Sequence, residues 1–139
     1  NGKDDFTKCP NGAPGVETRM PIVFSEGVSK GRLSLNEFAA VTSTNPAKIF
    51  GMYPKKGVLA PGSDADIVLM NPNMEVTIKK NILHENVDYT PYEGIQVKGW
   101  PVMTMVRGQA VVENERLQVP LGFGRYINRK SVKYTELLK

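Results

Sequence analysis

The sequence predicts a protein of the α/β class in which helices fill the first third of the chain and strands fill the remainder. Between residues 20 and 51, apolar side chains recur at the helical period of about 3.6 residues, and glycines and prolines mark the element boundaries. From Gly57 onward the apolar period changes to about 2, which is typical of strands. This order favours two lobes over a single unit in which strands and helices alternate.

The first predicted helix lies in the stretch RMPIVFSEGVSKG, residues 19–31. Pro21 suits the first helical turn, because a backbone N–H at that position would have no helical partner. Gly31 marks the end of the helix, since glycine commonly follows a helix C-terminus. The apolar stripe of this helix consists of Met20, Val23, Phe24 and Val28.

A second predicted helix runs from Leu35 to Ser43. Ser34 and Glu37 have the spacing of a capping box, in which each side chain accepts a hydrogen bond from the other residue's backbone N–H. Thr44 or Asn45 is then predicted to cap a short third helix that Pro46 opens and Gly51 closes. The inner face of the second helix comprises Leu35, Phe38, Ala39 and Thr42.

About six short strands are predicted after Gly57, enough to close into a sandwich. The first follows Gly57, and the second runs from Asp66 to Met70, where Asn71 and Pro72 stop it. The reversal at residues 107–109 connects two later strands. The remaining candidates are MEVTI at residues 74–78, Ile95–Val97, Val102–Val106 and Ala110–Val112. The last twenty residues carry too little periodic apolar content for a core of their own.

Composition excludes several classes of protein. The net charge is +4 and the isoelectric point is about 9.2, but the basic residues are dispersed, so they indicate a solvated surface and not a nucleic-acid site. The sequence has no run of eighteen apolar residues and no signal-peptide pattern, so we expect a cytoplasmic protein that does not enter membranes. The single Cys9 cannot form an internal disulfide, and we expect an ordinary packed or loop thiol.

The residues do not make a complete active site. Asp64 and Asp66 in GSDAD invite comparison with an acidic metal loop, but we interpret them as a turn residue bonding its own backbone and as the entry to a strand. His84 is the only histidine, and we interpret it as a capping or network residue. Trp100 is expected to pack in the interior. The adjacent Asp4 and Asp5 are expected to be solvated.

Five segments, taken in order, resemble the C-terminal part of a dihydropyrimidinase or D-hydantoinase, in the cyclic amidohydrolase superfamily. They are FTKCPNGAPGVETRMP, AVTSTNPAKIFGMYPKKG, GSDADIVLMNP, NVDYTPYEG and GFGRYINRK. STNPAKIFG and GSDAD are shared widely across the superfamily, whereas PNGAPGVETR together with NVDYTPYEG narrows the match to this branch.

The resemblance implies the C-terminal part of a (β/α)8 amidohydrolase barrel followed by strands of a β-sandwich domain. Residues 1–56 would form the end of the barrel, with the substrate loop and closing helices. Residues 57–119 would supply β-sandwich strands, and residues 120–139 would form a C-terminal tail that contacts another subunit. Asn1 would then be an internal position of a longer protein, and the rest of the barrel would be a partner of this segment.

The resemblance also implies a metal-dependent hydrolase of dihydropyrimidines or hydantoins, acting in pyrimidine catabolism as a homotetramer. The family's binuclear zinc centre is held by histidines, a carbamylated lysine and an aspartate, all expected upstream of Asn1, so this segment would hold no metal or catalytic residue and would be inactive alone. Its substrate residue would be Asn11, whose main-chain groups would bind the cyclic amide on a loop shaped by Pro10 and Gly12.

Two other functions remain open from the sequence. The first is a non-catalytic scaffold of the collapsin-response-mediator kind, which shares the fold and tends to lack the Pro-Asn-Gly loop. The second is a stand-alone β-sandwich binding module, in which the helices would cover their own apolar faces.

Overall fold

The computed structural model describes residues 3–9 and 11–132. A short 3-10 turn at Phe6–Lys8 precedes helix α1, Val16–Val23, which continues as a π-helical segment, Phe24–Ser29. Helices α2, Leu35–Ala39, and α3, Asn45–Ile49, are joined by a second π-helical segment, Ala40–Thr44. Strand β1, Ile67–Thr77, is followed by a 3-10 turn at Lys80–Ile82 and by strands β2, Gln96–Val106, β3, Gln109–Glu113, and β4, Arg116–Leu117. The predicted α/β class is confirmed.

Helix α1 begins five residues earlier than the sequence predicts, at Val16 rather than Pro21. Gly15 occupies the N-cap position, and the first-turn amide of Glu17 donates to the carboxylate of Glu85, 68 residues away along the chain. Because the acceptor for this first-turn N–H is so distant along the chain, the local sequence contains no capping pattern that marks the start of the helix. Pro21 therefore lies inside the helix, where it is fully buried.

The predicted capping box at the start of α2 is confirmed. The amide of Glu37 donates to Ser34 Oγ at 3.2 Å, and the amide of Ser34 donates to Glu37 Oε2 at 2.8 Å. The predicted cap at Thr44 is wrong, because Thr44 has helical angles and its hydroxyl donates to the carbonyl of Gly57 at 2.7 Å. Helical backbone consequently runs without a break from Leu35 to Ile49. On the predicted inner face, Phe38 is buried but Leu35 is exposed.

The described strands form one antiparallel sheet in the order β1-β2-β3-β4. The predicted stop at Asn71 and Pro72 is wrong, because β1 passes through both and includes the separately predicted MEVTI segment up to Thr77. An irregularity between Asn71 and Glu75 absorbs the proline, and β1 lies at the edge of the sheet, where a missing N–H costs no ladder bond. The segment after Gly57 is not a strand. Strand β2 likewise joins two predicted strands into one.

The reversal at residues 107–109 is confirmed. Arg107 and Gly108 have φ angles of 53° and 78°, and they connect β2 to β3. Positive φ at both central positions matches the right-handed twist of the flanking strands.

The core lies where the α1 segment packs on β2. Trp100, which the sequence predicts to be a packing residue, is buried there with Ile78, Leu83 and Val97. Phe24 stands edge-on to Phe38, with ring centroids 5.3 Å apart, and so links the first helical segment to α2. No helix among the described residues is long and apolar enough to cross a membrane.

Candidate functional site

The predicted substrate loop is an exposed connection between the first 3-10 turn and α1. Asn11, Gly12 and Ala13 are all exposed, and Gly12 has a φ of 85°, a backbone conformation that favours glycine. Pro10 lies outside the described residues. On the N-terminal side, the amide and hydroxyl of Thr7 donate to Asp5 Oδ1 at 3.0 and 2.6 Å. Cys9 ends this 3-10 turn and is exposed.

The C-terminal end of the loop is held by tertiary packing. A Cβ at Gly15 would lie 3.2 Å from the ring of Tyr92, so the ring would have to shift by a few tenths of an ångström to admit a side chain. The carbonyl of Gly15 accepts hydrogen bonds from the amide of Arg19 at 3.1 Å and from the hydroxyl of Thr18 at 3.4 Å. Thr18 is completely buried. The C-terminal end of the loop is therefore held in place at Gly15, and the exposed residues 11–13 precede it.

A cluster of carboxylates and one imidazole binds the start of α1 to the segment that contains Tyr92. Glu17 Oε1 lies 2.7 Å from His84 Nδ1, and Glu17 Oε2 accepts from the His84 amide at 2.7 Å. His84 Nε2 lies 2.9 Å from the carbonyl oxygen of Glu115 in the turn between β3 and β4. Glu85 Oε1 accepts from the Glu17 amide at 3.3 Å, while its buried Oε2 has no hydrogen-bond partner among the described residues.

The pKa of His84 is raised, first by the hydrogen bond to Glu17 and then by the carbonyl of Glu115, against the opposing effect of burial. His84 is thus a network residue, as interpreted from the sequence. Sequence reasoning assigned no role to Glu17, which binds His84, or to Glu85, which binds the Glu17 amide. Glu17 is separated from His84 and from Glu85 by 67 and 68 residues, so no local signal connected them.

The acidic residues of GSDAD are paired with lysines. Lys55 Nζ and Lys56 Nζ each lie 2.9 Å from an oxygen of Asp64, and Lys56 also contacts Asp66. Asp66 accepts from the amide of Arg107 at 2.9 Å, so it joins the start of β1 to the β2–β3 turn. The pKa of Asp64 is lowered, first by its hydrogen bond to Lys55 and then by Lys56. The structural interpretation holds, although Asp64 binds lysines where the sequence predicted a bond to its own backbone.

No group of three or more His, Cys, Asp or Glu side chains in residues 3–9 and 11–132 could hold a metal ion. The described residues therefore do not fit a metal centre. A cleft of about 670 Å³ lies between the α2–α3 helices and the sheet, with Phe38, Ala47, Val68 and Met105 among its lining residues. Lys56 and Asp66 lie at its margin, already paired with each other.

Comparisons with known proteins agree on one family. A model described as the amidohydrolase family matches residues 10–111. The D-hydantoinase of Geobacillus stearothermophilus is 47% identical over 137 residues, which are 99% of this chain and 29% of the relative. The D-phenylhydantoinase of Escherichia coli is 46% identical over 92% of this chain and 28% of its own length.

A solved structure of the dihydropyrimidinase from Brevibacillus agri superposes with a TM-score of 0.88 at 52% identity, covering 93% of this chain and 28% of that one. The chain therefore spans a little over a quarter of the length of the relatives it matches. Because the family model covers most of the sequence and the relatives agree with it, the chain belongs to the amidohydrolase family.

Proposed function

We propose that the chain forms part of a metal-dependent cyclic amidohydrolase that opens the amide bond of dihydropyrimidines or hydantoins. The observation that carries the proposal is the joint similarity in sequence and backbone to a dihydropyrimidinase, at 52% identity and a TM-score of 0.88. The matched part is about 28% of that relative, and we therefore assign the proposed activity to a longer polypeptide that includes this chain.

We propose that residues 1–56 end a (β/α)8 barrel, that residues 57–119 are strands of a β-sandwich, and that residues 120–139 reach a neighbouring subunit of a homotetramer. Exposed apolar side chains support the need for further cover. Leu35 is 64% exposed, Leu59 is 72% exposed and Leu121 is 96% exposed. Surfaces of this kind are typical of sites where other polypeptide packs. Residues 133–139 of the proposed tail lie outside the described residues.

In this proposal, the main-chain groups of Asn11 bind the ring. A dihydropyrimidine or hydantoin carries N–H donors and C=O acceptors at fixed positions on its edge, so a shaped backbone segment can match them. The exposure of Asn11 and Gly12, together with the fixed end at Gly15, is consistent with such a loop. Pro10 would add stiffness through its fixed φ.

We place the metal ligands of the enzyme outside the described residues, because those residues offer no group that could hold an ion. The binuclear zinc centre and the cytoplasmic location remain predictions from the resemblance and from composition. The relatives reported above are hydantoinases and a dihydropyrimidinase, which favours the enzyme over the scaffold. The exposed apolar residues disfavour a stand-alone module, which would have to cover its own helices.

Hydrolysis of dihydrouracil and of hydantoin tests the proposal, measured on the 139-residue chain and on the longer polypeptide encoded with it. We expect turnover with bound metal only for the longer polypeptide. Turnover by the 139-residue chain would overturn the placement of the metal site. A metal-loaded longer polypeptide that opens neither ring would overturn the proposed activity.

A further inference from the structure

Both ring nitrogens of His84 face hydrogen-bond acceptors. Nδ1 lies 2.7 Å from a carboxylate oxygen of Glu17, and Nε2 lies 2.9 Å from the carbonyl oxygen of Glu115. A neutral imidazole carries a single N–H and can donate to only one of them, whereas the imidazolium donates to both. The geometry therefore requires the protonated ring for the complete set of contacts.

This pair of hydrogen bonds lies at the root of the residue 11–15 loop. Glu17 is the second residue of α1, directly after the loop, and His84 binds both of its carboxylate oxygens through the ring and the amide. Tyr92, from the same segment as His84, packs against Gly15 at the end of the loop.

We propose that His84 is a positioning residue: its protonated ring fixes the first turn of α1 through Glu17, so that the order of the residue 11–15 loop depends on pH. The charged groups that face the ring are the carboxylates of Glu17, on α1, and of Glu115, in the β3–β4 turn. Glu85, the next residue, holds the same turn of α1. Through the proposed role of Asn11, on which this consequence rests, loss of loop order would raise the KM for cyclic amides.

The direction of the pH dependence follows from the raised pKa of His84. The stabilising contacts are fully present below the ordinary histidine pKa of about 6.5 and are lost as the pH rises through the higher value in the folded protein. Loop order is therefore greatest at low pH within this range and declines in alkaline solution.

Hydrogen exchange of peptides covering residues 11–20, read by mass spectrometry in the longer polypeptide between pH 6 and 9, tests this assignment. His84→Arg keeps a permanent charge with donors, and His84→Gln never carries one. We expect wild-type protein to match His84→Arg at pH 6 and His84→Gln at pH 9. Exchange of the first-turn amides should change about three- to fivefold between these limits, because the His84 side chain is 58% exposed. Taking the ratio to His84→Arg at each pH cancels the intrinsic pH dependence of exchange. Peptides from β2 should show no such change.

The inference would be overturned if the ratio of the wild-type exchange rate to that of His84→Arg changed by less than about twofold between pH 6 and 9. Loss of a charged hydrogen bond predicts a larger change. Glu17→Gln provides a second variant, in which the pH dependence should shrink, and an undiminished dependence would also overturn it. The KM for dihydrouracil is measured on the same samples. Loop exchange that follows the ionisation of His84 while KM stays constant would support the positioning role and contradict the proposed role of the loop in ring binding.

Discussion

The two sides of the helical segment differ in how completely the chain covers them. Where α1 and its π-helical continuation meet β2, Phe24 is 5% exposed and Trp100 is 7% exposed. Along α2 and α3 and beyond, Leu35, Ile49 and Phe50 are each more than half exposed. Side chains on the first side are buried within the chain, whereas these three on the second side are left largely in contact with solvent.

This difference indicates where the stability of the chain resides. Full burial of a large apolar side chain stabilises the folded state by about 1.5–3 kcal/mol. Phe24 and Trp100 are almost fully buried at the α1–β2 contact, so each supplies nearly all of this stabilisation. The candidate substrate loop is attached to the side that is buried within the chain. Its attachment points are Gly15, which packs against Tyr92, and Glu17, which binds His84. The loop is thus anchored by the part of the chain that needs no partner for its packing.

The largest expected effect is the loss of Trp100. Trp100→Ala removes a buried aromatic ring from the α1–β2 contact and should lower the free energy of unfolding by about 3–5 kcal/mol. Urea unfolding followed by circular dichroism measures the change, since Trp100 is the only tryptophan and its fluorescence disappears with the substitution. In the 139-residue chain, where Leu121 is 96% exposed, Leu121→Ala is the control and should cost less than about 0.5 kcal/mol. Equal losses for the two variants would contradict the contrast between the two sides.

A second test of the helix–sheet contact uses Gly99, whose backbone lies against the ring of Phe24. A Cβ at Gly99 would overlap the ring of Phe24, so Gly99→Ala combines strain at a φ of 101° with overpacking of about 1–3 kcal/mol. Gly62→Ala has similar strain, at a φ of 90°, but nothing within 4 Å of the added atom. The difference between the two variants in urea unfolding isolates the helix–sheet contact. No difference would mean that the π-helical continuation of α1 does not pack tightly on β2 at Phe24.

A substitution at Ser34, the N-cap of α2, tests the side of the helical segment that is less completely covered. Ser34→Ala removes the capping box of α2 and should cost about 1 kcal/mol, because a first-turn amide loses its acceptor. The effect should appear as faster hydrogen exchange within residues 35–40 and leave the amides of β2 unchanged. Ser43→Ala, at an exposed position in the same helical run, is the matched control. Exchange that accelerates equally in β2 would show that α2 folds as one unit with the sheet.

The smallest expected effect concerns the ionisation of His84. As the only histidine of the chain, His84 gives one imidazole signal in a pH titration by NMR, and its pKa should lie above the ordinary value of about 6.5. Glu17→Gln should bring the pKa back toward that value, since the hydrogen bond to Glu17 is the largest cause of the increase. An unshifted wild-type titration would contradict the network at the root of the loop.

Sequence predicted best the features whose causes are local. The capping box of Ser34 and Glu37 lies within one helical turn, and the reversal at Arg107 and Gly108 follows from adjacent residues. The burial of Trp100 was equally predictable, since large aromatic rings usually pack inside.

The errors arise where distant partners act. The Glu85 carboxylate accepts a hydrogen bond from the first-turn amide of Glu17, 68 residues away, and α1 begins at Val16 where the sequence predicted Pro21. Thr44 was expected to cap a helix, but its hydroxyl binds the carbonyl of Gly57. The edge position of β1 let the strand continue through Pro72. No local pattern contains these partners, so the cluster around His84 could not be predicted either.

Paired substitutions at Asn11 test whether its main chain binds a cyclic amide. Asn11→Ala keeps both main-chain groups, so kcat/KM for dihydrouracil in the longer polypeptide should change by less than about threefold. Asn11→Pro removes the N–H and should lower kcat/KM about tenfold or more, the cost of a lost hydrogen bond. Equal values for the two variants, or a larger loss for Asn11→Ala, would contradict the account.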